Sequence, residues 1–301
     1  MQFGVLLPQF GPHAAGADAR ERIRQVALAA DRLGYSVVWT AEHIVFPETI
    51  RTPYPYGSRY PFPLTDPIFD VVATLSWVAA LTTRVRLGTS VLVLPYRNPI
   101  VLAKELATLD VLSEGRLLLG VAGGWLAEEF EMLGIPFHER GARTDEYIAL
   151  LRALWTQDRV SFTGRFYRLD GALFFPKPVQ QPPPIWIGGG SPAALGRVAH
   201  LGDGWIAAPR PTLDDLAKDI AEIRRRAEQA GRDPARIGVS SNGAATSLDD
   251  LLARLPRMER AGVTIASVPV AFWARTFSHS LELMEEFAER AGISPTSSPA
   301  S

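Results

Sequence analysis

The sequence predicts a parallel (β/α)8 barrel (a TIM barrel), and three observations carry that expectation. β-rich runs alternate with helical patterns eight times from end to end. Several of these runs are apolar on both faces, and glycine or polar residues gather where they end. Alternating strands and helices imply βαβ units, whose right-handed crossovers, repeated eight times, can close into a barrel. A doubly wound open sheet is the competing arrangement.

The expected strands are Phe3–Pro8, Ser36–Thr40, Val85–Val91, Arg116–Ala122, Ile185–Gly188, Gly204–Ala207, Ile237–Ser241 and Val263–Val270. Helical stretches follow at about 20–33, 67–81, 98–112, 143–156, 192–201, 212–230, 248–261 and 278–291. Asp66-Pro67, Asn98-Pro99 and Ser191-Pro192 each place a capping residue before a proline suited to the first helical position. Leu33-Gly34 and Ala261-Gly262 read as helix ends closed by glycine. Runs such as Val37-Val38-Trp39 and Leu117-Leu118-Leu119 suit strands buried between a barrel interior and surrounding helices.

Two connections are too long for ordinary loops. Ala41–Asp66, rich in Pro, Tyr and Arg, follows the second strand and is expected to lie over the barrel mouth. Gly123–Pro184, between strands 4 and 5, contains a helix and then Val160–Leu169, which reads as a hairpin with Thr163-Gly164 at its turn. The expected organisation is one domain over residues 1–291 and a flexible tail over 292–301.

Composition excludes several classes of function. The 301 residues carry a net charge of −1, so nothing marks a nucleic-acid or anionic-membrane surface. No cysteine is present, which removes disulfides, thiol catalysis and cysteine–metal sites. The N-terminus lacks the basic and long apolar regions of a signal peptide, and no apolar run reaches the roughly 20 residues of a membrane span. A cytoplasmic location is the expectation.

In a parallel barrel the chemistry gathers at the C-terminal ends of the strands. The second strand leads into Glu42-His43, where His43 can move a proton near neutral pH and Glu42 can serve as acid or base; the plainer alternative is that the two orient each other or anchor the following loop. The third ends Thr89-Ser90-Val91, the fourth Gly123-Gly124-Trp125 and the fifth Gly188-Gly189-Gly190-Ser191. Glycines let a ligand approach the backbone, and the helix after Ser191 offers unpaired N–H groups to an anion. The plainer reading is a pair of tight turns and a capping serine. No Walker loop, dinucleotide fingerprint, serine-hydrolase elbow or metal-ligand spacing of histidines is present. The charged stretch Glu139–Glu146 reads as capping and salt bridging.

Leu33-Gly34-Tyr35-Ser36-Val37-Val38-Trp39-Thr40-Ala41-Glu42-His43 is similar to the second-strand signature of luciferase-like flavin and deazaflavin oxidoreductases. Asp66-Pro67, Arg86–Val91, Arg97-Asn98-Pro99, Leu112–Arg116, Pro184–Gly189 and Leu201–Trp205 continue the match in order, over about residues 1–290. The chain most resembles the branch of coenzyme F420-dependent oxidoreductases, on the Pro/Tyr-rich loop and Gly124–Phe130. The resemblance implies a barrel with an inserted segment, a cofactor ring over a bulge in the third strand, and a cis peptide at Ser90–Val91. Thr89, Ser90 and Val91 would meet the ring, Gly123-Gly124 and Gly188–Ser191 its tail, and His43 would lie near it. It also implies a homodimer formed through barrel helices. Two departures stand out. Glu42 replaces an aspartate common in the family, and Trp125 replaces a glutamate of its sugar-phosphate dehydrogenases.

The implied activity is hydride transfer between F420 and a small organic substrate, with His43 handling the proton. An FMN-dependent monooxygenase is the alternative, because the same fold accommodates either ring. Arginine far outnumbers lysine, which suggests a GC-rich genome and leans toward F420. A flavin-storing protein without turnover and a flavin-free sugar-phosphate enzyme remain open.

Overall fold

The computed structural model describes residues 1–209 and 212–294. Its strands are β1 (Gln2–Leu6), β2 (Val37–Thr40), β3 (Arg86–Thr89), β4 (Leu92–Val93), β5 (Leu117–Ala122), β6 (Arg159–Thr163), β7 (Arg168–Leu173), β8 (Ile185–Gly189), β9 (Gly204–Ala207), β10 (Gly238–Ser241) and β11 (Ile265–Val268). The helices are α1 (Ala19–Leu33), α2 (Val71–Leu81), α3 (Pro99–Leu112), α4 (Ala127–Met132), α5 (Arg140–Thr156), α6 (Pro192–Leu201), α7 (Leu213–Gln229), α8 (Leu248–Ala261), α9 (Val270–Trp273) and α10 (Phe277–Arg290).

All strands except β6 and β7 run parallel in the order β3-β2-β1-β11-β10-β9-β8-β5-β4, and pairing of β3 with β5 closes the ring. The architecture is therefore the expected eight-stranded barrel, with β3 and β4 as two halves of one interrupted strand. The interruption is Ser90-Val91, whose peptide bond is cis, as the resemblance implied.

Two cores follow from strands buried on both faces. The barrel interior holds Val37, Trp39, Leu118, Trp186, Ile206 and Ile265. Glycines make room for the indoles: a Cβ on Gly88 would overlap Trp39, and one on Gly204 or Gly238 would overlap Trp186. The larger core lies between strands and helices.

Helix ends follow the sequence signals with one exception. Asn98 and Ser191 cap α3 and α6, and Gly34 and Gly262 adopt left-handed conformations after α1 and α8. The second helix does not begin at Pro67. Residues 67–69 are held extended against the segment after β1: the Phe69 N–H donates to Gln9 O, the Gly11 N–H donates to Pro67 O, and Phe10 pairs with Ile68. Asp70 is the cap instead, accepting from the Ala73 N–H at 2.8 Å.

The antiparallel pair β6–β7 is the expected hairpin, and its turn is docked on α5, where Glu146 accepts from the N–H groups of Arg165, Phe166 and Tyr167. At the C-terminus, the Ile293 N–H donates to Ala288 O, so the first residues of the expected tail finish α10. The rest of that tail, from 295, lies outside the described residues. No described helix is long and apolar enough to cross a membrane.

Candidate active site

The sheet order brings the candidate residues to one rim. β5 lies between β3/β4 and β8, so Thr89-Ser90-Val91, Gly123-Gly124 and Gly188–Ser191 stand at adjoining strand tips. The Ser90 N–H donates to Thr40 O, which ties this rim to the end of β2 and so to Glu42 and His43.

Each of these residues has a different local reason. The buried Thr89 hydroxyl donates to Gly120 O (2.6 Å) and accepts from the Gly120 N–H (2.9 Å), stitching β3 to β5. Ser90 is half-buried, and its hydroxyl makes no hydrogen bond among the described residues. Val91 overhangs β8: a Cβ on Gly188 would sit 2.6 Å from Val91 Cγ1. Gly124 has φ of 78°, and its Cβ would sit 2.7 Å from Phe130. Packing within the protein thus accounts for glycine at 188 and 124. Gly123 differs, because a Cβ there would meet only Thr144 Oγ1, at 3.4 Å, with Arg140 atoms beyond. Gly189 has φ of 112°, and its carbonyl accepts from Trp205 Nε1. Ser191 accepts from the Ala194 N–H, so its side chain is engaged as a helix cap.

His43 and Glu42 point to different partners. His43 Nδ1 lies 2.7 Å from Glu129 Oε2. Glu129 is fully buried and also accepts from the N–H groups of Ile44 (2.6 Å) and Val45 (3.1 Å) and from the Tyr96 hydroxyl (2.8 Å). An ionised carboxylate only accepts, so His43 Nδ1 carries the hydrogen. Nε2 is left without a partner among the described residues. Glu42 is buried and accepts from the Val93 N–H (2.6 Å) and from Arg97 (2.5 and 3.0 Å), which also reaches Asp70. Burial pushes the Glu42 carboxyl up from its ordinary range, against the pull of Arg97.

Sequence reasoning gave no role to Glu129, Glu128, Tyr96 or Arg97. Glu128 accepts from the N–H groups of Arg51 and Thr52 and from the Thr52 hydroxyl, so adjacent carboxylates of α4 fasten both ends of residues 44–52. The available signal was two successive acids inside the otherwise apolar run Trp125–Phe130. The charged start of α5 behaves as expected: Glu139 pairs with Arg143 and Arg165, and Asp145 with Arg197. Among the described residues no cluster could hold a metal ion.

A sequence model of luciferase-like monooxygenases matches residues 1–292. The chain belongs to that family. This luciferase-like protein is 37% identical over 210 residues to an uncharacterized protein of Mycobacterium tuberculosis, covering 69% of this chain and 72% of the relative. It is 34% identical over 234 residues to an F420-dependent glucose-6-phosphate dehydrogenase of Amycolatopsis mediterranei, covering 75% of this chain and 63% of that one. Among solved structures it resembles the monooxygenase RslO1 of Streptomyces bottropensis, with a TM-score of 0.77, 27% identity and coverage of 96% and 98%. An F420-dependent secondary alcohol dehydrogenase shares the fold (TM-score 0.75, 17% identity, coverage 96% and 98%).

Proposed function

We propose that this luciferase-like protein is a cytoplasmic oxidoreductase that uses coenzyme F420 to oxidise or reduce a small organic substrate at the rim formed by β2, β3, β5 and β8. The observation that supports it most is the convergence of three glycine-bearing or bulged strand tips beside a histidine whose Nε2 has no partner among the described residues. The residues fit a flat ring with an anionic tail. Gly123 lacks a side chain although the fold would admit one. Ser90 offers a hydroxyl without a partner among the described residues. In the exposed first turn of α6, where Pro192 has no N–H and Ser191 holds that of Ala194, the Ala193 N–H is left for an anion among the described residues. Arg140 makes no ion pair among the described residues and neighbours Gly123.

When bound, F420 supplies hydride transfer at its ring. The chain's own part is orientation, exclusion of water and proton handling. Ser90 and Val91 would hold the ring, and Gly123 and Gly188–Ser191 the tail. His43, held by Glu129, presents Nε2 to give or take a proton. Glu42 we assign a positioning role: through Arg97 and the Val93 N–H it fixes the backbone just after Ser90-Val91. The F420-dependent relatives favour this cofactor. The likeness to RslO1 favours the alternative, a reduced-FMN monooxygenase built on the same rim.

Parallel titrations with F420 and FMN, read by absorbance and calorimetry, test the reading. Saturable binding of F420 with FMN much weaker supports it; binding of FMN alone selects the alternative; binding of neither overturns both.

The proposed enzyme is a homodimer. Residues 71–81 of α2 include no charged residue, and the outward Ala73, Ser76 and Ala80 are small enough for close approach of a second copy about a twofold axis. Light scattering of the wild type and of Ala80→Arg tests this: a dimer that the arginine converts to monomer is expected, and a monomeric wild type refutes it.

A further inference from the structure

The segment between β2 and α2 brings a continuous set of aromatic rings over His43. Trp125, from the tip of β5, lies 5.8 Å from the His43 ring and stacks on Tyr60 at 6.3 Å. Tyr54 meets Trp125 at 5.2 Å and Tyr60 at 5.8 Å, both edge to face. Phe62 meets Tyr60 at 5.8 Å and Phe272, from α9 beyond β11, at 5.9 Å. The rings therefore reach from the tip of β5 to that of β11. Such a wall gains from stacking on flat apolar groups.

The charges around it are as informative. Among the described residues, no lysine or arginine packs on any of these rings. Arg51, in the same segment, pairs with Glu128 and Glu131. Glu129 beneath the wall is already bonded to His43, Tyr96 and two backbone N–H groups. Arg59, beside Tyr60, is exposed and packs on none of the rings, whereas the Glu129 and Asp66 carboxylates both act on Tyr60 itself, so the charge nearest the rings disfavours a phosphorylated or carboxylated substrate. Two buried acceptors in the segments that carry these rings lack donors among the described residues: Asp66 Oδ2, whose carboxyl acts electrostatically on Tyr60, and Gln9 Oε1, in the residue before Phe10, which packs on Phe62 at 5.4 Å. Buried polar atoms are nearly always satisfied, so these favour a ligand that brings a donor.

We propose that the wall over His43 binds a neutral, flat, apolar substrate bearing a hydroxyl, a hydroxyarene or related polycyclic alcohol, and not a sugar phosphate. The inference rests on the redox reading for its chemistry but not for its binding.

Calorimetry on the full chain, with and without F420 or FMN, tests it with 2-naphthol, its donor-blocked methyl ether and glucose 6-phosphate as probes. Saturable 2-naphthol binding is expected, about tenfold tighter than the ether, as one recovered hydrogen bond predicts. Trp125→Ala should weaken it about tenfold through lost stacking. Phe272→Ala should weaken it too, and that ring is 53% exposed, so its removal leaves the fold intact. Glucose 6-phosphate binding while 2-naphthol does not, or 2-naphthol binding that neither variant changes, overturns the proposal. If neither cofactor binds but 2-naphthol does with the expected variant effects, the redox reading fails and this one stands.

Discussion

His43 Nδ1 lies 2.7 Å from Glu129 Oε2, and the same carboxylate binds the N–H groups of the two residues that follow His43. One side chain of α4 therefore sets both the ring and the backbone that carries it. In Glu129→Gln the Ile44 and Val45 N–H groups would retain the carbonyl oxygen at the Oε1 position. The amide NH2 must then face His43 and Tyr96, and His43 loses its acceptor at Nδ1. The expected result is a tautomer switch from Nδ1–H to Nε2–H, read from imidazole 15N shifts. Turnover of the loaded enzyme should fall by about 10²-fold, the low end for a misplaced general acid–base. An unchanged tautomer with unchanged turnover would remove His43 from the proton-handling role.

The Glu42–Arg97 pair makes a separate prediction about stability. Arg97→Leu leaves a buried carboxylate bonded only by the Val93 N–H and should cost about 3–5 kcal/mol in urea unfolding near neutral pH. The pH dependence has a definite sign. Burial already raises the Glu42 pKa, and loss of Arg97 raises it further. The folded variant then holds a proton that the unfolded chain releases, so its stability falls as pH rises above the unfolded carboxylate value and recovers on acidification. Replacing both residues by leucine should restore much of the loss, because an apolar pair removes the unpaired charge.

These two carboxylates show how far the sequence could be read. The barrel was legible because alternating strand and helix signals repeat, and because Asn98-Pro99, Ser191-Pro192 and Gly34 act through local backbone chemistry. The tips of β3, β5 and β8 were legible for a related reason, since their order follows from parallel topology. Asp66-Pro67 misled because it carries a helix-start signal, yet long-range pairing with residues 9–11 holds that segment extended. Glu129 was illegible as a partner of His43 because the contact spans 86 residues and depends on how α4 turns after Gly124. Glu42 was read as an acid or base from its place beside His43, whereas its oxygens face Arg97 and Val93.

Gly123 and Gly188 should respond differently to substitution. Gly188→Ala forces Val91 to move, since the new Cβ would sit 2.6 Å from Cγ1, and overpacking of this kind costs about 1–3 kcal/mol. Gly123→Ala meets only Thr144 Oγ1 at 3.4 Å and should leave the melting temperature nearly unchanged. Gly123→Leu should weaken cofactor binding at least about tenfold, roughly 1.4 kcal/mol, if the ring or its tail passes this point. Unaltered cofactor affinity in that variant would place the ligand elsewhere.

Asp31 couples α1 to β3, the strand that ends at Ser90. Its carboxylate accepts from the N–H groups of Arg84 and Val85, each at 2.8 Å, and of Thr83 at 3.3 Å. Partial burial pushes its pKa up, but these three N–H groups outweigh that and hold it below the ordinary value of 3.8. A depressed folded pKa means that the unfolded chain binds the proton more readily. The stabilisation is therefore complete above the unfolded value and disappears as pH falls through the folded one. Asp31→Ala should cost about 1–2 kcal/mol at neutral pH, the modest figure reflecting solvent screening at a half-exposed site. Urea unfolding at neutral pH and again well below the ordinary carboxylate range should show the gap between wild type and variant closing in acid. A gap independent of pH would mean that the side chain acts by packing and not by its charge.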